Sequence, residues 1–182
     1  MASNNKYSHP VQILQALENQ CRANARGLPQ QEEVRDEWSG IGFRVGDLNL
    51  AAPLGQAIEI LTLPELSRVP GAKHWVKGIA NIRGNLLPVM DLKHYLLGQQ
   101  TSVRKKSRVL VMKRGQLFSG LLVDEVLGMR NFLAENRRVT PADTHADVKP
   151  YIEHIYKQYN QQWLVFSMHK LAESPLFMQV AS

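Results

Sequence analysis

One stretch, Val76 to Leu97, constrains the fold more than any other part of the chain. Its first seven residues are apolar and partly alternating, which is typical of a half-buried strand. Arg83-Gly84-Asn85 then interrupts the pattern, and because glycine tolerates a positive φ the chain is predicted to reverse there. A second apolar run, Leu86 to Met90, leads to Asp91, a good N-cap for a short helix. The stretch therefore predicts a β-hairpin that runs directly into a helix.

The predicted hairpin carries an arginine, Arg83, at the tip of its turn. A long cationic side chain at such a position rarely serves a core, so we expect it to be free to meet a partner. An ordinary hairpin without any binding role explains the same local pattern, and that alternative stays open at this point.

The same order of strands and turns occurs twice in the chain, which indicates an internal duplication of a five-strand unit. The strands are short and are separated by glycine and proline, which favours small barrels over alternating strands and helices. The matching segments are Gly46-Asp47-Leu48 with Gly115-Gln116-Leu117, Ala57-Ile58 with Val126-Leu127, and Leu87 to Leu92 with Trp163 to Met168.

The N-terminal part, residues 1–38, has a helical pattern of apolar residues in place of short strands and is predicted to be a helical extension. Residues 10–26 carry apolar side chains at three- and four-residue steps, as an amphipathic helix does. Gly27 ends this helix, and a second helical stretch is predicted from Leu28. Cys21 lies on the apolar face, so we expect it to be packed and not nucleophilic. Whether the extension packs on the main body or docks a partner stays open.

Composition limits the remaining possibilities. The chain has 182 residues, a formal net charge of +6 and one cysteine, so no internal disulfide is possible and a reducing compartment is expected. No apolar run suits a signal peptide or a membrane span, which predicts a cytoplasmic protein. The densest positive cluster, residues 104–108, is interpreted as a solvated linker. A basic nucleic-acid-binding barrel is the alternative, although no zinc-finger spacing or RNA-binding signature accompanies the cluster.

No catalytic constellation is found. Six histidines are present without a metal-protease spacing, and there is no nucleophile elbow and no phosphate-binding loop. Asp91 is better explained as a helix cap than as a catalytic acid. We therefore predict a protein that is not an enzyme and needs no metal or cofactor; histidine and aspartate chemistry near the barrel junction is the weakest alternative. Residues 131–150 are polar and are predicted to form a long loop.

The hairpin segment also carries a specific resemblance. Lys77-Gly78-(x2)-Asn81-Ile82-Arg83-Gly84-(x3)-Pro88-Val89-Met90-Asp91-Leu92 resembles the signature of the CheW-like domain family. The resemblance covers roughly Ser39 to Glu173. It implies a mainly β fold of two intertwined five-stranded SH3-like barrels with short helices, within a domain over residues 39–182. Barrel one would take about 39–103 and barrel two about 104–182, with strand exchange between them.

The resemblance further implies a non-catalytic adaptor. Members of the family couple the cytoplasmic tip of a methyl-accepting chemoreceptor to a CheA-type histidine kinase, whose regulatory domain is itself CheW-like. A groove between the barrels serves the receptor, and barrel surfaces serve the kinase, in arrays associated with the membrane. The N-terminal extension favours the adaptors that control type IV pili and twitching motility; a flagellar chemotaxis adaptor is the alternative.

The partner-binding residues that the resemblance implies lie in two segments. Arg83 and Gly84 occupy the family's reversal, with Lys77, Gly78 and Asn81 beside them. Glu59 occupies the acidic position of a strand implicated in kinase contact, where Ala57 stands in place of the family's valine and offers less apolar area. The affinity would come from four apolar neighbours, provided that they are exposed: Ile58, Ile60, Ile79 and Val89.

Overall fold

A computed structural model of the chain describes residues 10–24, 37–138 and 145–180. The chain divides into two compact units, residues 1–35 and 36–182. In the first unit, helix α1 (Pro10–Asn24) confirms the predicted amphipathic helix, whereas the second helical stretch from Leu28 lies outside the described residues. Cys21 is exposed, so the expectation that it is packed was wrong. The reason is that no other described element of this unit covers that face of α1.

The second unit is mainly β, as expected. Its first half holds a hairpin, a third strand, a second hairpin and a helix, and its second half repeats that order. The elements are β1 (Glu37–Val45), β2 (Leu48–Pro53), β3 (Ala57–Thr62), β4 (Val76–Ile82), β5 (Asn85–Asp91), α2 (Leu92–Leu97), β6 (Arg108–Arg114), β7 (Leu117–Val123), β8 (Glu125–Leu133), β9 (Arg137–Arg138), β10 (Ile152–Gln158), β11 (Gln161–Phe166), α3 (Met168–Glu173) and α4 (Pro175–Met178).

The long polar loop predicted over residues 131–150 is shorter than expected. Strand β8 continues to Leu133, short 3-10 turns follow at Ala134–Asn136 and Lys149–Tyr151, and β9 lies between them. Strand β8 looked polar because its exposed residues dominate this part of the sequence, while Phe132 is fully buried and anchors the strand.

The strands form two sheets, each assembled from both halves of the sequence. One sheet has the order β8-β1-β2-β11-β10-β9 and the other has the order β3-β6-β7-β5-β4. Apart from the short β9, the two orders are equivalent when each strand is replaced by its duplicate. The first half thus gives its opening hairpin to one sheet and its remaining strands to the other, which is the strand exchange that the resemblance implies.

Matching details of the two halves confirm the duplication. The hairpin turns at Gly46 and Gly115 have φ values of 59° and 58°. Asp91 is the last residue of β5, and Ser167 directly follows the equivalent strand β11. Each side chain caps the helix that follows by accepting a hydrogen bond from the backbone N–H three residues later. Each exchange also creates one parallel pairing, β2 with β11 and β5 with β7.

The largest core cluster joins the two sheets. It contains buried residues from both, such as Phe43 and Leu121, together with residues of α2, α3 and α4 such as Leu92, Leu171 and Phe177. A smaller core cluster lies within each sheet, and because each of these clusters also combines residues of both halves, neither half has a core of its own. Across the described part of the chain, no helix is long and apolar enough to cross a membrane.

Candidate partner-binding surface

The turn between β4 and β5 places Arg83 at an exposed tip. Arg83 and Gly84 both have a positive φ, 53° and 85°, as a two-residue hairpin turn of type I′ requires. The Asn81 Oδ1 accepts a hydrogen bond of 2.9 Å from the Gly84 N–H and fixes the turn. An arginine in the left-handed region is uncommon. The chemistry of its side chain therefore explains the residue better than turn propensity does.

Arg83 forms an ion pair with Glu59 of the same chain. The Arg83 Nη2 lies 2.7 Å from the Glu59 Oε1, and the two side chains are 78% and 31% exposed. Arg83 therefore has a partner within the chain, and because its side chain is open to solvent, its contact with a partner protein stays a prediction. Glu59 and Arg83, which the resemblance places in two separate segments, are therefore in direct contact.

Curvature of the sheet brings this pair together. Glu59 lies on β3 and Arg83 follows β4, and these strands stand at opposite ends of the strand order. Ser67, beyond β3, exchanges two backbone hydrogen bonds of 2.9 Å with Ile79 of β4. The sheet therefore wraps around until its two edges meet, as in a closed barrel. This closure joins residues far apart in the chain, so no local sequence signal reveals the ion pair.

Two apolar side chains of β3, next to Glu59 in the sequence, are open to solvent. Ile58 is 53% exposed and Ile60 is 43% exposed, whereas Ala57, Glu59 and Leu61 alternate with them and are partly buried. Leu86, directly after the turn, is 68% exposed and was not predicted as a site residue. We call the set Ile58, Glu59, Ile60, Asn81, Arg83, Gly84 and Leu86 the Arg83 surface.

Three other predicted site residues make contacts within the fold. Val89 is fully buried in the core and offers no contact area, so it does not meet the condition of exposure. Gly78 is buried with a φ of 149°, and a Cβ added there would lie 2.5 Å from the carbonyl oxygen of Ser67. Lys77 approaches the buried Asp91, with 3.8 Å between Nζ and Oδ2.

The apolar residue Ile79 lies between these two groups. It is half-buried and lines a small apolar cavity of about 190 Å³ with Val76, Pro88 and Met90. It therefore belongs to the wall of a shallow pocket beside the Arg83 surface and adds limited contact area.

Asp91 holds the helix end of the motif. Its buried carboxylate accepts hydrogen bonds from the His94 N–H at 3.1 Å, the Thr101 N–H at 2.9 Å and the Thr101 hydroxyl at 2.7 Å. The N-cap role predicted from the sequence is confirmed. The two hydrogen bonds from Thr101 also fix the segment that follows α2 to Asp91.

A second polar cluster lies between α2 and the start of α4. The Tyr95 hydroxyl is 2.7 Å from that of Tyr151 and 3.2 Å from that of Ser174. Burial raises the pKa of Tyr95 to about 12; the Ser174 hydrogen bond lowers it and Tyr151 raises it. His74 and His94 pack nearby with ring centroids 4.6 Å apart. Within the described ranges, no group of three or more potential ligand side chains could hold a metal ion.

Comparison with known proteins supports one family. Residues 39–176 match the family model described as CheW-like domain. The protein PilI of Pseudomonas aeruginosa is 43% identical over 172 residues, which covers 94% of this chain and 96% of PilI. The chemotaxis protein CheW of Helicobacter pylori is 29% identical over 115 residues, covering 63% of this chain and 68% of that protein.

A solved structure shows the same fold. The crystal structure of the scaffolding protein TtCheW from Thermoanaerobacter tengcongensis superimposes with a TM-score of 0.66 at 22% identity, covering 76% of this chain and 94% of that one. The alignment with PilI is long enough to reach into residues 1–38, because 172 aligned residues leave too few of the 182 to omit them.

Proposed function

Because the chain belongs to the CheW-like domain family, we propose that it is an adaptor that couples a methyl-accepting chemoreceptor to a CheA-type histidine kinase. The protein is a non-catalytic scaffold, as its family is. One observation carries the proposal for this chain: the Arg83–Glu59 ion pair is exposed at the closed edge of a sheet, and the neighbouring β3 residues Ile58 and Ile60 are exposed as well.

The Arg83 surface has the composition that a protein interface uses. Exposed isoleucine and leucine side chains provide apolar area, and desolvating them on contact would supply most of the affinity. The ion pair would fix the register and the choice of partner. An exposed pair contributes only about 0–1 kcal/mol to stability, so Arg83 can exchange Glu59 for a carboxylate of a partner at little cost.

The kinase partner in this proposal is the CheW-like regulatory domain of the kinase, and the receptor partner is the cytoplasmic tip. The adaptor would thereby be recruited to receptor arrays on the cytoplasmic side of the membrane. Similarity to PilI over nearly the whole chain, including the extension, supports a role in type IV pilus control and twitching motility. The shorter and weaker match to the H. pylori CheW makes a flagellar adaptor the second candidate.

Binding of purified partners tests the proposal. The regulatory domain of the pilus-type kinase and a cytoplasmic receptor fragment, both from the same genome, would be titrated against the full chain by calorimetry. We expect Arg83→Glu to weaken at least one of the two complexes by about tenfold or more, because it places a like charge against the partner.

Arg114→Glu is the matched control. Arg114 is also an exposed arginine beside a hairpin turn, and it also pairs with a glutamate, Glu173, but it lies outside the Arg83 surface. Equal losses from the two variants, or no loss from Arg83→Glu, would reject the site. A strain carrying Arg83→Glu should lose twitching and keep swimming; the reverse result would support the flagellar alternative.

A further inference from the structure

The basic segment 104–108 connects α2 to β6 with Arg104, Lys105 and Lys106 exposed, as predicted, but it is also held in a defined turn. Thr101 before it is 4% exposed and is held by Asp91, and Ser107 within it is 3% exposed. The Ser107 hydroxyl accepts a hydrogen bond of 2.9 Å from the Arg104 N–H, and the Ser107 N–H donates to the Arg104 carbonyl at 2.9 Å. The segment is therefore a fixed turn, and its positive side chains project from a rigid base.

This turn forms one wall of an open cleft of about 610 Å³. The rest of the lining comes from the β1–β2 turn, Lys93 of α2, Ser102 and Asp124, and the cleft shares no residue with the Arg83 surface. Five positive side chains line it: Arg44, Lys93, Arg104, Lys105 and Lys106.

Acidic side chains compensate only part of this charge. Glu125 pairs with Arg44 at 2.5 Å and with Lys106 at 3.2 Å, and the Asp124 Oδ2 accepts a hydrogen bond from the Gly46 N–H. With Asp47, three acids face five cations, which leaves a surplus of two positive charges. Among the described residues, Lys93, Arg104 and Lys105 have no salt-bridge partner.

We propose that this cleft binds an acidic segment of a partner protein, at a second site separate from the Arg83 surface. Because the backbone of the turn is already fixed, its cations lose less conformational freedom on binding than cations of a mobile loop would, and this favours recognition of carboxylates. The lining contains no aromatic side chain on which bases could stack, which argues against single-stranded nucleic acid. Its concave shape and lack of apolar wall residues argue against a flat membrane surface.

Fluorescence anisotropy with the full chain and a labelled oligo-glutamate peptide tests the proposal. The cleft variant combines Lys93→Glu, Arg104→Glu and Lys105→Glu. The control variant combines Lys113→Glu, Lys157→Glu and Lys170→Glu, which changes the net charge equally at exposed positions outside the cleft. We expect the cleft variant to bind the peptide about tenfold more weakly or worse, and the control variant to stay within about twofold of the unaltered chain.

Two further probes identify the ligand class: a thymidine oligonucleotide of equal charge and vesicles of anionic phospholipid. Tighter binding of either one than of the peptide would overturn the proposal in favour of nucleic acid or membrane. Absence of peptide binding, or equal weakening by the two variants, would also overturn it. Thermal unfolding of both variants checks that each is folded, and retained binding of the kinase regulatory domain by the cleft variant would show that the two surfaces are distinct.

Discussion

Arg83 and Glu59 form a 2.7 Å ion pair where β3 and β4, the two edge strands of one sheet, come together. The pair therefore reports closure of the barrel as well as the position of a proposed interface. Both side chains keep contact with solvent, so a partner can approach the pair without any opening of the fold.

Exchanging the charges of Arg83 and Glu59 distinguishes the effect of the intrachain ion pair from the effect of Arg83 on partner binding. Arg83→Glu and Glu59→Arg each place like charges together, while the double exchange restores an opposite-charge pair. Because the pair is exposed, the free energy of unfolding should differ by less than about 1 kcal/mol among all of these variants in urea titrations. Binding of the kinase regulatory domain or receptor fragment should stay weak in the double exchange. Recovery of binding there would mean that the pair itself, and not the charge at position 83, is what the partner requires.

Replacing Asp91 should destabilise the protein strongly. Asp91→Ala removes the cap of α2 and leaves the two Thr101 donors buried without an acceptor. Each such loss costs about 1–3 kcal/mol, so the free energy of unfolding should fall by about 3–5 kcal/mol in chemical denaturation. Asp91→Asn keeps one acceptor oxygen, so its free energy of unfolding should fall by less than that of Asp91→Ala. A loss below about 1 kcal/mol for the alanine variant would contradict the hydrogen-bond network.

The two glycines of the signature should differ in their tolerance of a methyl group. Gly84→Ala meets no atom within 4 Å, so it should cost only the strain of a positive φ, about 1 kcal/mol. Gly78→Ala places its Cβ 2.5 Å from a backbone oxygen of the paired Ser67 segment, so it should cost more than about 3 kcal/mol. Thermal and urea unfolding of both variants measure the difference. Similar costs would show that the backbone at Gly78 can move away.

Alkaline pH should weaken the fold through Tyr95. In the unfolded chain its pKa is 10.0, and in the folded protein burial raises the pKa to about 12. The folded state thus retains a proton that the unfolded state has released, so the stability present below pH 10.0 should decline between these two values. Urea midpoints measured across that range should fall with pH, and Tyr95→Phe should flatten the slope.

Tyr159→Phe provides the control for that titration. Tyr159 is 92% exposed at the turn between β10 and β11, so its removal should leave the slope unchanged. An identical slope in the unaltered chain and in Tyr95→Phe would assign the alkaline sensitivity to other groups.

Local sequence patterns predicted those features that neighbouring residues decide. The hairpin turns at Gly46 and Gly115, the caps at Asp91 and Ser167, and the exposed Arg83 all follow from a few adjacent residues. Duplication of these patterns gave the two-sheet architecture, and the resemblance supplied the strand exchange.

Features that depend on distant strands were missed. Val89 looked available in a hairpin considered alone, but its strand pairs with β7 of the other half and is covered. The Glu59 partner of Arg83 depends on closure of the sheet. The charges of residues 104–108 were evident from the sequence. The turn that places them along a cleft is fixed by the hydrogen bonds of Thr101 with Asp91 and of Ser107 with Arg104, which the sequence does not reveal.

The exchanged strands also determine when the protein can fold during its synthesis. Strand β2 leaves the ribosome early, but its parallel neighbour β11 is among the last strands to be made, and β1 must likewise wait for β8. Until then the nascent chain exposes unpaired strand edges, which are prone to aggregation. A long wait for distant pairing partners also makes folding slow. A truncated product that ends before β11 would contain every strand of the β3-β6-β7-β5-β4 sheet but would leave β2 of the other sheet without its parallel neighbour, so the two sheets become complete at different times during synthesis.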